Sequence, residues 1–158
     1  VKQIFSSIRI LPSRMSSFAV AVRSSEKVIS NGFNLFAAKK SAIQISDGET
    51  ATFTKALNVA ANFARGMSNK GEIFEIEIVA FNAGINILRT DKSPVNDRIK
   101  SMSESIPDLT FSACNNTIKG ITRKEGKAPL ISEYARIVPG GVGRLMTLDN
   151  QGFFVVRP

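Results

Sequence analysis

The chain of 158 residues contains no histidine and only one cysteine, Cys114. The absence of histidine removes the usual general base, and with it the Ser-His-Asp and Cys-His catalytic arrangements and imidazole metal ligands. A single cysteine forms no internal disulfide and cannot supply a metal site that needs two thiolates from one chain. We therefore expect no metal and no cofactor, and hydrolytic chemistry is disfavoured.

The sequence also lacks any apolar run of the roughly 18 residues that a membrane-spanning helix needs. The apolar run at 18–22 is short and is interrupted by Arg23, which argues against a secretory signal. A free thiol fits a reducing compartment. These features predict a protein that has no membrane partner and resides in the cytoplasm.

Positive charge is concentrated at the start of the chain. Residues 1–40 carry seven basic residues and one acidic residue, so they supply most of the formal net charge of +8. This basic, Ser/Arg-rich leader is typical of an organellar transit peptide, which would direct the protein to an organellar matrix. Two alternatives remain open: a partly disordered arm, or a segment that docks on a neighbouring subunit through the apolar residues 32–36. Because residues 41–158 carry little net charge, nucleic acid is disfavoured as a partner.

From residue 41 onward, strand-like and helix-like segments alternate, which predicts an α/β domain with a parallel sheet and helices on both faces. The predicted strands cover 42–46, 73–81, 109–113, 134–138 and 153–157. Helices are predicted after Thr50, from Ser93-Pro94, from Asn115 to the break at Gly120, and after Gly141. The first half of the second strand alternates between polar and apolar residues, which indicates either an edge position or one partly wetted face.

Cys114 stands where the third predicted strand ends and a helix begins. In open α/β sheets, ligands bind at the carboxyl ends of the strands, where the strand order reverses. With the strand order 2-1-3-4-5, Asp47 would be a neighbour of Cys114. Asn115, Asn116 and Thr117 would offer amides that stabilise a thiolate. The alternative is that Cys114 is a small buried apolar residue and Asp47 a helix cap.

Two further loops are predicted at the same edge of the sheet. One is the turn that begins at Asn82, and the other is the glycine-rich turn that contains Gly140 and Gly141. The second turn lacks the Gly-Lys-Ser/Thr ending of a nucleotide phosphate loop and the glycine spacing of a dinucleotide site. Nucleotide binding is therefore disfavoured, and the glycines are expected to permit a sharp turn and close helix packing. Arg144, in the following helix, is expected at the surface, with anion binding as the alternative.

Three segments together resemble the DsrE/DsrF-like family, most closely its small stand-alone members. They are 112–118 (SACNNTI), 137–145 (IVPGGVGRL) and 152–158 (GFFVVRP), and they occur in order within residues 41–158. The resemblance implies a flavodoxin-like three-layer α/β sandwich of about five mostly parallel strands that assembles as a trimer or hexamer. In the family's sulfur-relay members a cysteine accepts sulfane sulfur as a persulfide and passes it on, which implies Cys114 as the persulfide acceptor.

Our leading hypothesis is a sulfur carrier or sulfurtransferase-like protein. Persulfide transfer needs a thiolate and access to it, but no histidine. Sulfur donor and acceptor proteins would be its partners, together with further copies of the chain. The alternative hypothesis is a non-catalytic oligomeric module that binds a small ligand or a protein, with Cys114 in a structural role. The candidate site consists of Cys114 and its supporting residues Asp47, Asn82, Asn115, Asn116, Thr117, Gly140 and Gly141.

Overall fold

The computed structural model describes residues 37–158, and Ala38–Pro158 form one compact unit. The expectations for the leader therefore lie, apart from its last residues, outside the described residues. The first strand begins at Lys39, so the end of the predicted leader belongs to the fold. The elements in chain order are β1 (Lys39–Ile45), α1 (Thr50–Ser68), β2 (Phe74–Ala80), a 3-10 helix (Asn82–Leu88), α2 (Asn96–Ser105), β3 (Leu109–Cys114), α3 (Asn115–Glu125), β4 (Ala135–Val138), α4 (Gly141–Asn150) and β5 (Phe154–Val156).

These elements form one parallel sheet of five strands in the order β4-β3-β2-β1-β5. The expected flavodoxin-like α/β sandwich is confirmed as a fold class, but the strand order 2-1-3-4-5 is wrong. The first three crossovers all step in one direction across the sheet, and the chain then returns past β1 to add β5. Since such crossovers are right-handed, the reversal of direction sends the last helix to the opposite face.

The two faces of the sheet carry different amounts of helix. On the first face, α1, the 3-10 helix and α2 bury a continuous core against β1, β2 and β3, and α3 packs its partly buried Ile118 and Ile121 on the same core. On the second face, α4 contributes Leu145 and Leu148 to a smaller cluster that includes Cys114. Within the described part of the chain, α4 is the helix that covers this second face.

The position of β2 decides between two sequence expectations. β2 is the central strand of the sheet, so the expected edge position is wrong. Polar and apolar residues alternate in its first half because every second side chain points to the second face, which α4 covers only in part. Glu77 shares that face because it lies in register with Ala42, a member of the α4 cluster. A charged residue in the central strand is thus buried beside α4.

Two helix boundaries differ from the sequence expectations. α2 begins at Asn96, so Pro94 precedes the helix instead of occupying its first position. α3 runs through Gly120 to Glu125 and ends at Gly126, whose φ of 71° is left-handed. Gly120 does not break the helix because the residues on either side of it hold α3 on the core. None of the helices in residues 37–158 is long and apolar enough to cross a membrane.

Candidate functional site

The strand topology creates a crevice at the carboxyl ends of β3 and β4. These strands are neighbours, but α3 leaves β3 toward the first face and α4 leaves β4 toward the second. Adjacent connections that diverge in this way open the space in which α/β proteins bind ligands. The crevice has a volume of about 980 Å³, and its floor includes Asn82, Cys114, Asn116, Thr117, Gly140 and Gly141.

Cys114 is both the last residue of β3 and the N-cap of α3. Its side chain makes no capping hydrogen bond, but the backbone N–H groups of Asn116 and Thr117 at the start of α3 help to lower the pKa of the thiol. The residue is 4% exposed, and its other side packs against apolar residues of the α4 cluster such as Val79 and Leu145. The sulfur therefore lies between an apolar layer and the polar start of a helix.

The start of α4 approaches the same sulfur from across the crevice. Gly140 is the N-cap of α4 and Gly141 is its first residue. A Cβ at position 141 would lie 2.6 Å from Cδ1 of Phe81, so only glycine allows α4 to begin this close to the end of β2. The N–H of Gly141 thereby helps to lower the pKa of Cys114. The positive ends of two helix dipoles meet at one thiol.

Thr117 adds a hydroxyl donor whose orientation is fixed by Asn82. The backbone N–H of Asn82 donates to Oγ1 of Thr117 at 3.0 Å, which leaves the hydroxyl proton available for Cys114. Asn82 has a φ of 49°, a left-handed conformation that asparagine tolerates better than most residues. The backbone turn at the end of β2 thus directs the Thr117 hydroxyl toward the sulfur.

These contacts have a net effect on the ionisation of the thiol. Burial raises the pKa of Cys114, because it disfavours the charged thiolate. Hydrogen bonds from the Thr117 hydroxyl and from the N–H groups of Thr117, Gly141 and Asn116 lower the pKa, and the lowering prevails. Cys114 therefore has a larger thiolate fraction at neutral pH than an ordinary cysteine.

Two of the predicted site residues lie elsewhere. Asp47 is absent from the lining of the crevice, because β2 separates β1 from β3. The expectation that Asp47 lies next to Cys114 is therefore wrong. Oδ1 of Asp47 instead accepts a hydrogen bond of 3.4 Å from the N–H of Glu49, just before α1. Asn115 is the first residue of α3 and does not line the crevice either.

A buried arginine, which the sequence did not indicate, shapes one wall of the crevice. Arg89 is 2% exposed and binds both Asp91 and Glu125 through paired hydrogen bonds of 2.7–3.0 Å. Lys92 adds a bond of 3.0 Å to the same Glu125 carboxylate. Hydrogen bonds from Arg89 and Lys92 lower the pKa of Glu125 to about 2. The cluster ties the last residue of α3 to the end of the 3-10 helix.

A second ionic cluster holds α4 on the sheet. Glu77 is 3% exposed and accepts hydrogen bonds from Ser112, Arg136 and Arg144. Arg144, expected as a surface residue, is only 22% exposed and binds this buried carboxylate through two hydrogen bonds of 2.7 and 2.8 Å. Burial raises the pKa of Glu77, but these donors outweigh it, and the pKa lies below its usual value. The sequence signal was the alternation of Glu75 and Glu77 with apolar residues in the central strand.

Fold and site together define a parallel α/β protein with a single thiol held at the convergence of two helix N-termini. No family model matches the chain, and the search of curated proteins gives no match. The chain is similar to a solved structure of a protein of unknown function, MTH1491 from Methanobacterium thermoautotrophicum, with 23% sequence identity and a TM-score of 0.64. The likeness covers 76% of this chain and 99% of that chain, and it supports the fold alone.

Proposed function

We propose that this protein is a sulfur carrier, or a sulfurtransferase-like protein, that accepts sulfane sulfur as a persulfide on Cys114. The observation that carries the proposal is the set of donors from α3, α4 and Thr117 around a thiol on the floor of a crevice. Such donors stabilise a thiolate, which is the reactive form, without a histidine. The resemblance of segments 112–118, 137–145 and 152–158 to the DsrE/DsrF-like family supports the same role.

The proposed reaction is thiol–persulfide exchange. The Cys114 thiolate attacks the terminal sulfur of a donor persulfide, R–S–S⁻, and forms a new S–S bond. The original S–S bond breaks, and R–S⁻ leaves with the electron pair. A thiolate of an acceptor then attacks the outer sulfur of the Cys114 persulfide, and Cys114 returns as a thiolate. Since the chain has one cysteine, the acceptor belongs to another molecule.

Sulfur loading is tested by intact-mass measurement after incubation of the native protein with inorganic polysulfide. We expect a gain of one sulfur atom that cyanide removes and that the Cys114→Ser variant does not show. The alternative, a binding module with a structural cysteine, is favoured by the low exposure of Cys114 and its packing against Leu145. That alternative predicts no cyanide-labile sulfur, and alkylation by iodoacetamide only after unfolding.

We also propose that the chain forms a trimer or hexamer through its thinner second layer. On α4, Val142 and Met146 are 59% and 64% exposed, which is unusual for large apolar side chains beside a partly open sheet face. Light scattering tests this proposal, and a monomer at micromolar concentration would contradict it. For the location, we propose the cytoplasm, since a reducing compartment keeps the thiol free to load.

A further inference from the structure

The wall of the crevice formed by the end of α3 carries a net positive charge. Four cationic side chains and one carboxylate line it: Arg89, Lys92, Arg123, Lys124 and Glu125. The carboxylates of Glu125 and Asp91 offset the charges of Arg89 and Lys92. Within residues 37–158, neither Arg123 nor Lys124 has an ion-pair partner. The end of the crevice about 15 Å along α3 from Cys114 therefore keeps an excess of positive charge.

The low exposure of Cys114 limits what can approach the sulfur. The residue is 4% exposed in an open crevice of about 980 Å³. Clefts lined by charges of one sign concentrate small ions of the opposite sign. The occupant that this lining favours is small and negatively charged.

We propose that the crevice selects a small anionic sulfane-sulfur donor, of which thiosulfate is the simplest, over neutral reagents. This inference rests on the proposed function of Cys114. The thiolate attacks the outer sulfur of thiosulfate, the S–S bond of thiosulfate breaks, and sulfite leaves with the electron pair. A thiolate and a dianion enter, and a persulfide anion and the sulfite dianion result, so charge is conserved. The basic wall offsets the repulsion between the two anions that must meet.

The selection by charge is tested with two alkylating reagents of similar size, anionic iodoacetate and neutral iodoacetamide. We expect the ratio of their rate constants on Cys114 to exceed the ratio for free cysteine and to fall as salt is added. The ratio is independent of the thiolate fraction, so a variant that only shifts the pKa of Cys114 leaves it unchanged.

Two matched charge reversals locate the effect. Lys124→Glu should lower the ratio about twofold at low salt, which is the size expected for reversing a charge roughly 15 Å away through water. Lys70→Glu makes the same change just after α1, at the opposite edge of the sheet, and should leave the ratio unchanged. A ratio equal to that of free cysteine, or an equal fall in both variants, overturns the inference.

Sulfur transfer separates a failure of this inference from a failure of the proposed function. We expect thiosulfate to give cyanide-labile sulfur on Cys114 together with an equal amount of sulfite, and Lys124→Glu to slow both. If inorganic polysulfide loads Cys114 but thiosulfate does not, the substrate class is wrong and the carrier role stands. If neither reagent loads Cys114, the proposed function is wrong, and the proposed class of sulfur donor is wrong as well.

Discussion

The hydroxyl of Thr117 can be removed at nearly constant side-chain volume by the substitution Thr117→Val. This hydroxyl lowers the pKa of Cys114, and it accepts a hydrogen bond of 3.0 Å from the N–H of Asn82. A hydrogen bond to a charged group contributes about 1.5–3 kcal/mol. Since about 1.4 kcal/mol is a factor of ten in an equilibrium constant, loss of the hydroxyl should raise the pKa of Cys114 and lower its thiolate fraction at neutral pH about tenfold or more.

The assay is the rate of iodoacetamide alkylation as a function of pH, which follows the thiolate fraction. A higher pKa leaves less thiolate at neutral pH, so Thr117→Val should react more slowly there and regain the wild-type rate in alkaline solution. Thr117→Ser keeps the hydroxyl and serves as the control that should titrate like the wild type. If the valine variant also titrates like the wild type, the hydroxyl does not stabilise the thiolate, and the reasoning from Asn82 is refuted.

Three further predictions follow from the helix contacts and the ionic clusters. Gly141→Ala forces a Cβ against Phe81, so it should raise the pKa of Cys114 and lower the free energy of unfolding in urea by about 1–3 kcal/mol. The control Gly143→Ala places its Cβ in open space and should change neither quantity. Glu77→Gln leaves two arginines without their buried carboxylate and should cost about 3 kcal/mol; an unchanged urea midpoint would contradict the role of this cluster. The pKa of Glu125 is depressed from 4.5 to about 2, so its ionised form stabilises the fold fully above pH 4.5, and this stabilisation is lost as the pH falls toward 2. The melting temperature of the wild type should therefore fall over this pH range, and that of Glu125→Gln should fall less.

Local pattern was enough for the elements of this fold but not for their arrangement. The strands at 74–80 and 109–114 were predicted to within a residue, because buried parallel strands are nearly continuous apolar runs. The strand order depends on which way each crossover turns, and no local residue encodes that choice. The misplacement of Asp47 beside Cys114 followed directly from the wrong order.

In the candidate site, too, the features that depend on a short stretch of sequence were predictable, whereas contacts between distant residues were not. The position of Cys114 before two asparagines and a threonine indicated a helix start, and the structure places it there as the N-cap. The Arg89–Glu125 pair joins residues 36 positions apart, and nothing in the surrounding sequence connects them. Glu77 was visible as an acidic residue in a buried strand, but its partners, Arg136 and Arg144, follow 59 and 67 residues later.

The helix α3 is fastened at its two ends more than along its length. It has no fully buried residue, its first turn is engaged with Cys114 and Asn82, and its last residue, Glu125, is clamped by Arg89. Eleven residues separate the clamps, which in a helix is about 16 Å. Restraint at both ends opposes the fraying by which helices usually begin to open, so α3 stays formed although it contains no fully buried residue.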